Sequence, residues 1–357
     1  YFPPPPAERR PKGWIMVMTS SDRSVGRRRV LTVLAGLPVM AAGLAAAARQ
    51  TNAGAPAIAR WTGSALGADA GLQVAHPDAR VAAQLVASCR QEIERIERLF
   101  SLYRPDSALA RLNRTGTLNR PPADFRLLLD YCRQIFESTA GAFDPTVQPL
   151  WEACRDHFSA GTADEAALDE RLARARRLTG FQHVQADDRA IRFARDGMAV
   201  TLNGIAQGFL TDRIAALLRR HGVNSALVET GETYGLGQRP DGSGPWRIGL
   251  AAPGYRSLSR IVSLSDRAVA TSAPDAARFD REGRYHHLFD PATGRPSQRY
   301  RSASVIAPTA WLADGFSTAF STMSRAEIEA ALARHPGTGA LLIDRKGRQQ
   351  ILGDMPI

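Results

Sequence analysis

Apolar and polar residues alternate around Leu72 and Val74 within residues 65–78, and His-Pro-Asp closes the stretch, which predicts a strand. From 78 to 101 the period changes. Val81, Leu85, Ile93, Ile96, Leu99 and Phe100 recur at helical spacing, with Asp78 placed to cap the helix. A loop over 102–122 leads to a second helix through "DFRLLLDYCRQIFESTAG", ended by Gly141. A third helix is expected over about 162–178, short strands over 182–201, and a helix over 204–223. Strands follow at 225–229, 246–251, 259–264, 285–289 and 302–307, then helices at 310–323 and 325–334 and a closing strand pair around 339–352. Strands neighbour one another as in hairpins and do not alternate strictly with helices. The pattern predicts an α+β fold with a largely antiparallel or mixed sheet core and flanking helices.

The N-terminal pattern is different. A basic run at Arg27, Arg28 and Arg29 precedes an uncharged stretch from Val30 to Ala48 and an Ala-rich end, the order of a secretory leader. Pro38 and the Ala/Gly content favour a cleaved leader over a retained N-terminal anchor, which is the alternative. Arg-Arg-x-Val-Leu resembles a twin-arginine export signal, and no nearby cysteine could carry a lipid. Met16 or Met18 offers a start, with residues before them as an upstream extension. Residues 1–55 are therefore set apart from a domain at 56–357, which is expected in the periplasm.

Charge matters only once it is localised. The net charge is +11, but residues 1–60 hold nine of the 46 basic and two of the 35 acidic residues, leaving the body at +4. That distribution argues against nucleic acid as a partner. Cys89, Cys132 and Cys154 show no metal-ligand spacing and read as small buried hydrophobes, with one disulfide among them left open.

Several short stretches combine chemistry with turn signals. "AGAFDPTVQPLW" (140–151) is a helix stop and turn that presents Phe143. "NGIAQGF" puts Gly204 and Gly208 at a helix start, where a backbone can approach a ligand or pack on a sheet. It lacks G-x-G-x-x-G, which argues against a Rossmann site. "LVETGETYGLG" (227–237) is either a ligand loop or a tight strand exit. Asp314 and Thr318 are four apart on an apolar helix and suit a hard cation held with backbone oxygens, or else a helix-start carboxylate and a core threonine. In "YHHLFDPATGRPS" (285–297), His286 or His287 could serve as a general base, or both could be strand residues before a turn.

In order and spacing, "FSLYRPDSALARLN", "GAFDPTVQPLW", "NGIAQGFLTD", "ATS", "HHLFDPATGRPS" and "SVIAPTAWLADGFSTAF" strongly resemble the ApbE-like FAD:protein FMN transferases, from about Leu66 to Leu352. The resemblance implies a T-fold-related α+β domain that takes FAD and Mg²⁺. It transfers FMN to a Ser or Thr hydroxyl of a target flavoprotein and releases AMP. It assigns metal ligation to the side chains of Asp314 and Thr318 and the carbonyls of Gly204 and Ser317. It makes His287 the base and His286 a preceding strand residue. Leu66, Tyr103, Ala142, Phe143, Asp144 and Thr201 fall at FAD-contacting positions. The chain departs from the family pattern at Leu66-Gly67-Ala68, Ala206-Gln207-Gly208, Thr230-Gly231-Glu232 and Thr271-Ser272-Ala273, and carries Thr201 where an Asp is common. The twin-arginine leader, the absent lipobox and "ALGADA" resemble the branch that serves nitrous-oxide respiration, whose acceptor is a membrane-bound flavoprotein. The competing expectations are an FAD carrier or assembly factor without catalysis, and a slow FAD pyrophosphatase.

Overall fold

Strands Ala57–Ala65 (β1) and Ala68–His76 (β2) pair antiparallel across a two-residue turn in which Leu66 and Gly67 both take positive φ, 49° and 81°. They begin the sheet that organises the molecule. The structure, a computed structural model, describes residues 15–17, 56–161, 164–251 and 258–357; apart from 15–17, the expected leader lies outside the described residues. Ser225–Thr230 (β3), Thr233–Gly237 (β4), Arg267–Ser272 (β5), Tyr300–Ala307 (β6), Gly339–Asp344 (β7) and Gln349–Gly353 (β8) complete eight strands. Their order across the sheet is their order along the chain, and every neighbouring pair is antiparallel.

Helices enter this meander at two connections. Between β2 and β3 run α1 (Ala79–Phe100), α2 (Ala108–Thr115), α3 (Ala123–Ser138), α4 (Gln148–Ser159), α5 (Glu165–Arg176) and α6 (Ala206–Arg220). Between β6 and β7 run α7 (Ala310–Phe320) and α8 (Arg325–Ala333). Helix α1 shows why these segments fold as they do. The Asp78 carboxylate accepts from the Arg80 and Val81 amides, satisfying two otherwise orphaned donors. Leu85, Val86, Cys89, Ile93, Ile96 and Phe100 form one buried stripe, and each large apolar side chain contributes roughly 1.5–3 kcal/mol by leaving water.

Strand alternation divides the core. Val228, Leu236, Ala268, Ala270 and Val305 face the helices. Leu227, Val269, Ile306 and Leu341 face the other way, under the hairpin of Trp246–Ala251 and Leu258–Leu264, to which the short strand Ile15–Val17 adds antiparallel. A separate cluster joins α4 and α5 to Phe279, Tyr285 and Phe289. All three cysteines are free and buried.

The α+β expectation and its antiparallel sheet agree with the structure. The strand expected over 65–78 is Ala68–His76, and the strand Ala57–Ala65 that pairs with it across the turn was not expected. The loop over 102–122 contains α2, capped by Ser107 and stopped by Gly116 in the left-handed conformation. The turn at Asp144-Pro145 opens into α4, and the glycine-rich 227–237 stretch holds the β3–β4 hairpin. Of the strand expected at 285–289, Phe289 pairs with Pro296 and His286 keeps an isolated antiparallel bridge to Arg278; the rest lies outside any sheet.

Candidate active site at one end of the sheet

Antiparallel register carries several distant motifs to one end of the sheet. Ala70 lies opposite Thr230 and Thr233 opposite Val269, so the β1–β2 turn, the β3–β4 turn and the C-terminal end of β5 share that end. The first turns of α6 and α7 pack beside them. A Cβ on Gly208 would lie 2.3 Å from the Ala310 carbonyl oxygen, so only glycine permits this helix contact. Similarly, a Cβ on Gly231 (φ 97°) would meet the Gln207 side chain at 2.5 Å, which seats the β3–β4 turn over the start of α6.

Oxygen atoms converge where these elements meet. Ser272 Oγ, at the end of β5, is 2.8 Å from Ser317 Oγ and 3.4 Å from Thr318 Oγ1. Thr318 Oγ1 in turn donates to the Gly204 carbonyl at 3.4 Å. The Asp314 carboxylate is buried and accepts from the Gly208 amide at 2.9 Å. Asp314, Ser317 and Thr318 share a face of α7, so one helix presents a carboxylate and two hydroxyls to the carbonyl of the residues entering α6. Among the described residues no group of three or more His, Cys, Asp or Glu could hold a metal ion. The donor set is instead one carboxylate with hydroxyls and carbonyls, the hard oxygens that suit Mg²⁺ when phosphate oxygens and water complete the shell.

The two histidines differ in every respect that bears on catalysis. His286 is fully buried; its Nε2–H donates to the Ser297 carbonyl at 2.8 Å, and its Nδ1 accepts from the Leu288 amide. Burial lowers its pKa first of all, partly offset by the Ser297 bond. His287 is partly exposed, and its backbone N–H and Nδ1–H both point at the Ala277 carbonyl, at 3.1 and 3.2 Å. Holding the hydrogen on Nδ1 places the lone pair on Nε2, the state a proton acceptor needs. Ala277 follows Ser272 by five residues, so the loop that holds His287 continues from the oxygen cluster.

The residues expected at flavin contacts lie in the turns around these elements. The Leu66 amide donates to Glu97, and the Tyr103 ring, 73% exposed, lies against Gly67 at the lip. Phe143, expected where it need not be buried, is buried, and Ala142 is half-buried against the main core. The Asp144 carboxylate accepts from the Thr146 amide and hydroxyl and from the Phe181 amide, so it holds its own loop; burial raises its pKa against those bonds. Thr201 joins these turns to the oxygen cluster, since its amide donates to the Pro145 carbonyl three residues before Gly204.

Two supporting residues were not singled out in sequence. Asn113 exchanges two hydrogen bonds with the Val200 backbone and holds the strand-like approach to Thr201. Asp212 accepts from the Ala310 and Trp311 amides at 2.8 and 2.9 Å, and burial pushes it up to about 7 despite those donors. Both lie inside quoted motifs, but neither spacing nor composition says what they bond.

The fold and this site define an α+β protein with a cluster of oxygen donors at one end of an antiparallel sheet. The ApbE family is matched over residues 66–342, and the chain belongs to it. It is 29% identical over 314 residues to the FAD:protein FMN transferase of Salmonella typhimurium, covering 84% of this chain and 88% of that protein. It is 33% identical over 279 residues to that of Treponema pallidum, covering 70% and 74%. The solved ApbE protein of Thermotoga maritima superposes with a TM-score of 0.72 at 26% identity, covering 83% of this chain and 97% of that one.

Proposed function

We propose that this chain is an FAD:protein FMN transferase acting on a Ser or Thr hydroxyl of a target flavoprotein. The observation that carries the reading is the convergence of Gly204, Ser272, Asp314, Ser317 and Thr318 beside the loop that holds His287. His287 Nε2 takes the acceptor hydroxyl proton. The hydroxyl oxygen attacks the FMN-side phosphorus of FAD, a phosphoester bond forms, and the pyrophosphate P–O bond breaks with AMP as the leaving group. Asp314, Thr318, the Gly204 carbonyl and the Ser317 carbonyl would hold Mg²⁺, whose bound charge neutralises the pyrophosphate. Tyr103 supplies the exposed ring against which the flavin or adenine packs, and Leu66, Ala142 and Phe143 hold the turns beside it in the core.

The twin-arginine-like leader supports export to the periplasm. Together with "ALGADA" it supports, as acceptor, a membrane-bound flavoprotein of nitrous-oxide respiration. Subcellular fractionation of cells expressing the full chain, with Arg27 and Arg28 replaced by Lys, tests the export reading: the parent is expected in the periplasm and the variant in the cytoplasm.

The activity is tested by incubating residues 56–357 with FAD, Mg²⁺ and an acceptor domain and reading covalent flavin fluorescence on a denaturing gel. Fluorescence that requires all three components is the expected result. Tight FAD binding without transfer would instead establish a carrier. FMN and AMP released equally with and without acceptor would establish a pyrophosphatase.

A further inference from the structure

Helices α6 and α7 meet at their N-terminal turns, which is an unfavourable way for two helices to meet. Each end carries unsatisfied amides and a partial positive charge, and the Gly208–Ala310 contact leaves no side chain between them. The structure resolves this with a reciprocal exchange. Asp314, one turn into α7, accepts from the Gly208 amide of α6. Asp212, one turn after Gly208 in α6, accepts from the Ala310 and Trp311 amides of α7, one with each carboxylate oxygen. Asp212 is thus the cap of α7, supplied from another element, because the N-cap residue Thr309 makes no side-chain cap bond of its own.

We propose that Asp212 is a positioning residue for the transfer reaction, fixing α7 against α6 so that Asp314, Ser317 and Thr318 face the Gly204 carbonyl and Ser272. This rests on the transferase reading for its chemistry and on the two-helix geometry for its structure. Asp212 touches neither FAD nor the metal. Its effect passes through the two residues between Trp311 and Asp314, less than one helical turn. A tilt of α7 that opened its first turn would separate donors that now stand 2.8–3.4 Å apart.

The test separates position from stability. Asp212→Asn keeps the shape but offers one acceptor where two amides need one each. Thr309→Asp gives α7 a carboxylate cap at its own N-cap position without tying it to α6. Each protein is melted with and without Mg²⁺ in the presence of FAD, and the Mg²⁺ concentration for half-maximal transfer is measured separately. For Asp212→Asn the half-maximal Mg²⁺ concentration is expected to rise about tenfold and the Mg²⁺-dependent rise in melting temperature to shrink. In Asp212→Asn/Thr309→Asp the melting temperature without ligands should recover while both metal readouts stay impaired. If Asp212→Asn does not fold, the double variant supplies the comparison with the parent. Recovery of both metal readouts in the double variant would reduce Asp212 to a stabilising cap and overturn the proposal. So would a folded Asp212→Asn with parental Mg²⁺ dependence, or a parent that shows no Mg²⁺-dependent shift. A parent with a normal Mg²⁺ shift but no transfer would sink the transferase reading, while the Mg²⁺-dependent melting shift of Asp212→Asn still decides whether Asp212 positions α7 over the metal site.

Discussion

His286 has no exposed surface and carries its ring hydrogen on Nε2, whereas His287 is partly exposed and carries it on Nδ1. Their losses should therefore be read by different measurements. His287→Ala is expected to cut flavin transfer by about 10²-fold or more, the usual contribution of a general base, with a melting temperature close to the parent's. His286→Ala is expected to lower stability by about 1–3 kcal/mol, because a fully buried ring is lost and the part-buried Ser297 carbonyl loses its donor; chemical denaturation measures it. Glu229 gives a pH signature. Burial alone pushes it up to about 7, above its unfolded value, so the folded state keeps a proton that the unfolded chain releases. That stability is fully present below the ordinary carboxylate range and is lost as pH rises through about 7. In Glu229→Gln the fall in melting temperature between pH 5 and pH 8 should be shallower than in the parent, leaving the share of Asp212, which has the same sign. An unchanged slope would mean that Glu229 ionises as freely folded as unfolded.

At the scale of elements, the contact between α6 and α7 leaves no room for a side chain. Gly208→Ala would drive a Cβ into the Ala310 carbonyl. It is expected to cost about 1–3 kcal/mol, as overpacking does, measured as a shift in denaturation midpoint. Some elements were legible and others were not, for identifiable reasons. Asp78 and the apolar stripe after it specify α1 locally, through a cap and a period that need no partner. Helix α2 is only eight residues long and mostly polar outside Leu109 and Leu112, so no period develops. Strand β4 reads Thr-Tyr-Gly-Leu-Gly, and β5 is rich in alanine; their strand character comes from pairing with neighbours that bury them on both faces. Strand β1 and its turn into β2 were missed, because Leu66 takes a positive φ that a leucine does not advertise.

At the scale of the whole molecule, the eight-stranded sheet is one antiparallel meander into which the site's parts are inserted from far apart in the chain. Leu66, Thr201, Ser272, His287 and Asp314 reach one end only when every strand register is in place. A ligand that bridges these parts stabilises the folded chain by mass action. FAD with Mg²⁺ at about 100 times their dissociation constants should add roughly 2.7 kcal/mol, seen as a rise in melting temperature. Asp314→Ala should abolish the Mg²⁺ share of that rise, and His287→Ala should leave it intact. Loss of the rise in both variants would show that the histidine holds the ligand as well as the proton.

The amino-acid sequence by itself determined the α+β class, the capped and strongly periodic helices, and the residue types of the site, because these follow from local periods and from motifs a few residues long. It also carried the family's ordered motifs, which is why Gly204, Asp314, Ser317, Thr318 and His287 were legible. Only the tertiary structure decided which histidine is walled in, that Ser272 joins the hydroxyl cluster, and that Asp212 and Asp314 cap each other's helices. Those outcomes depend on what lies across a contact, and a buried carboxylate or imidazole has the same letter whichever donor it meets.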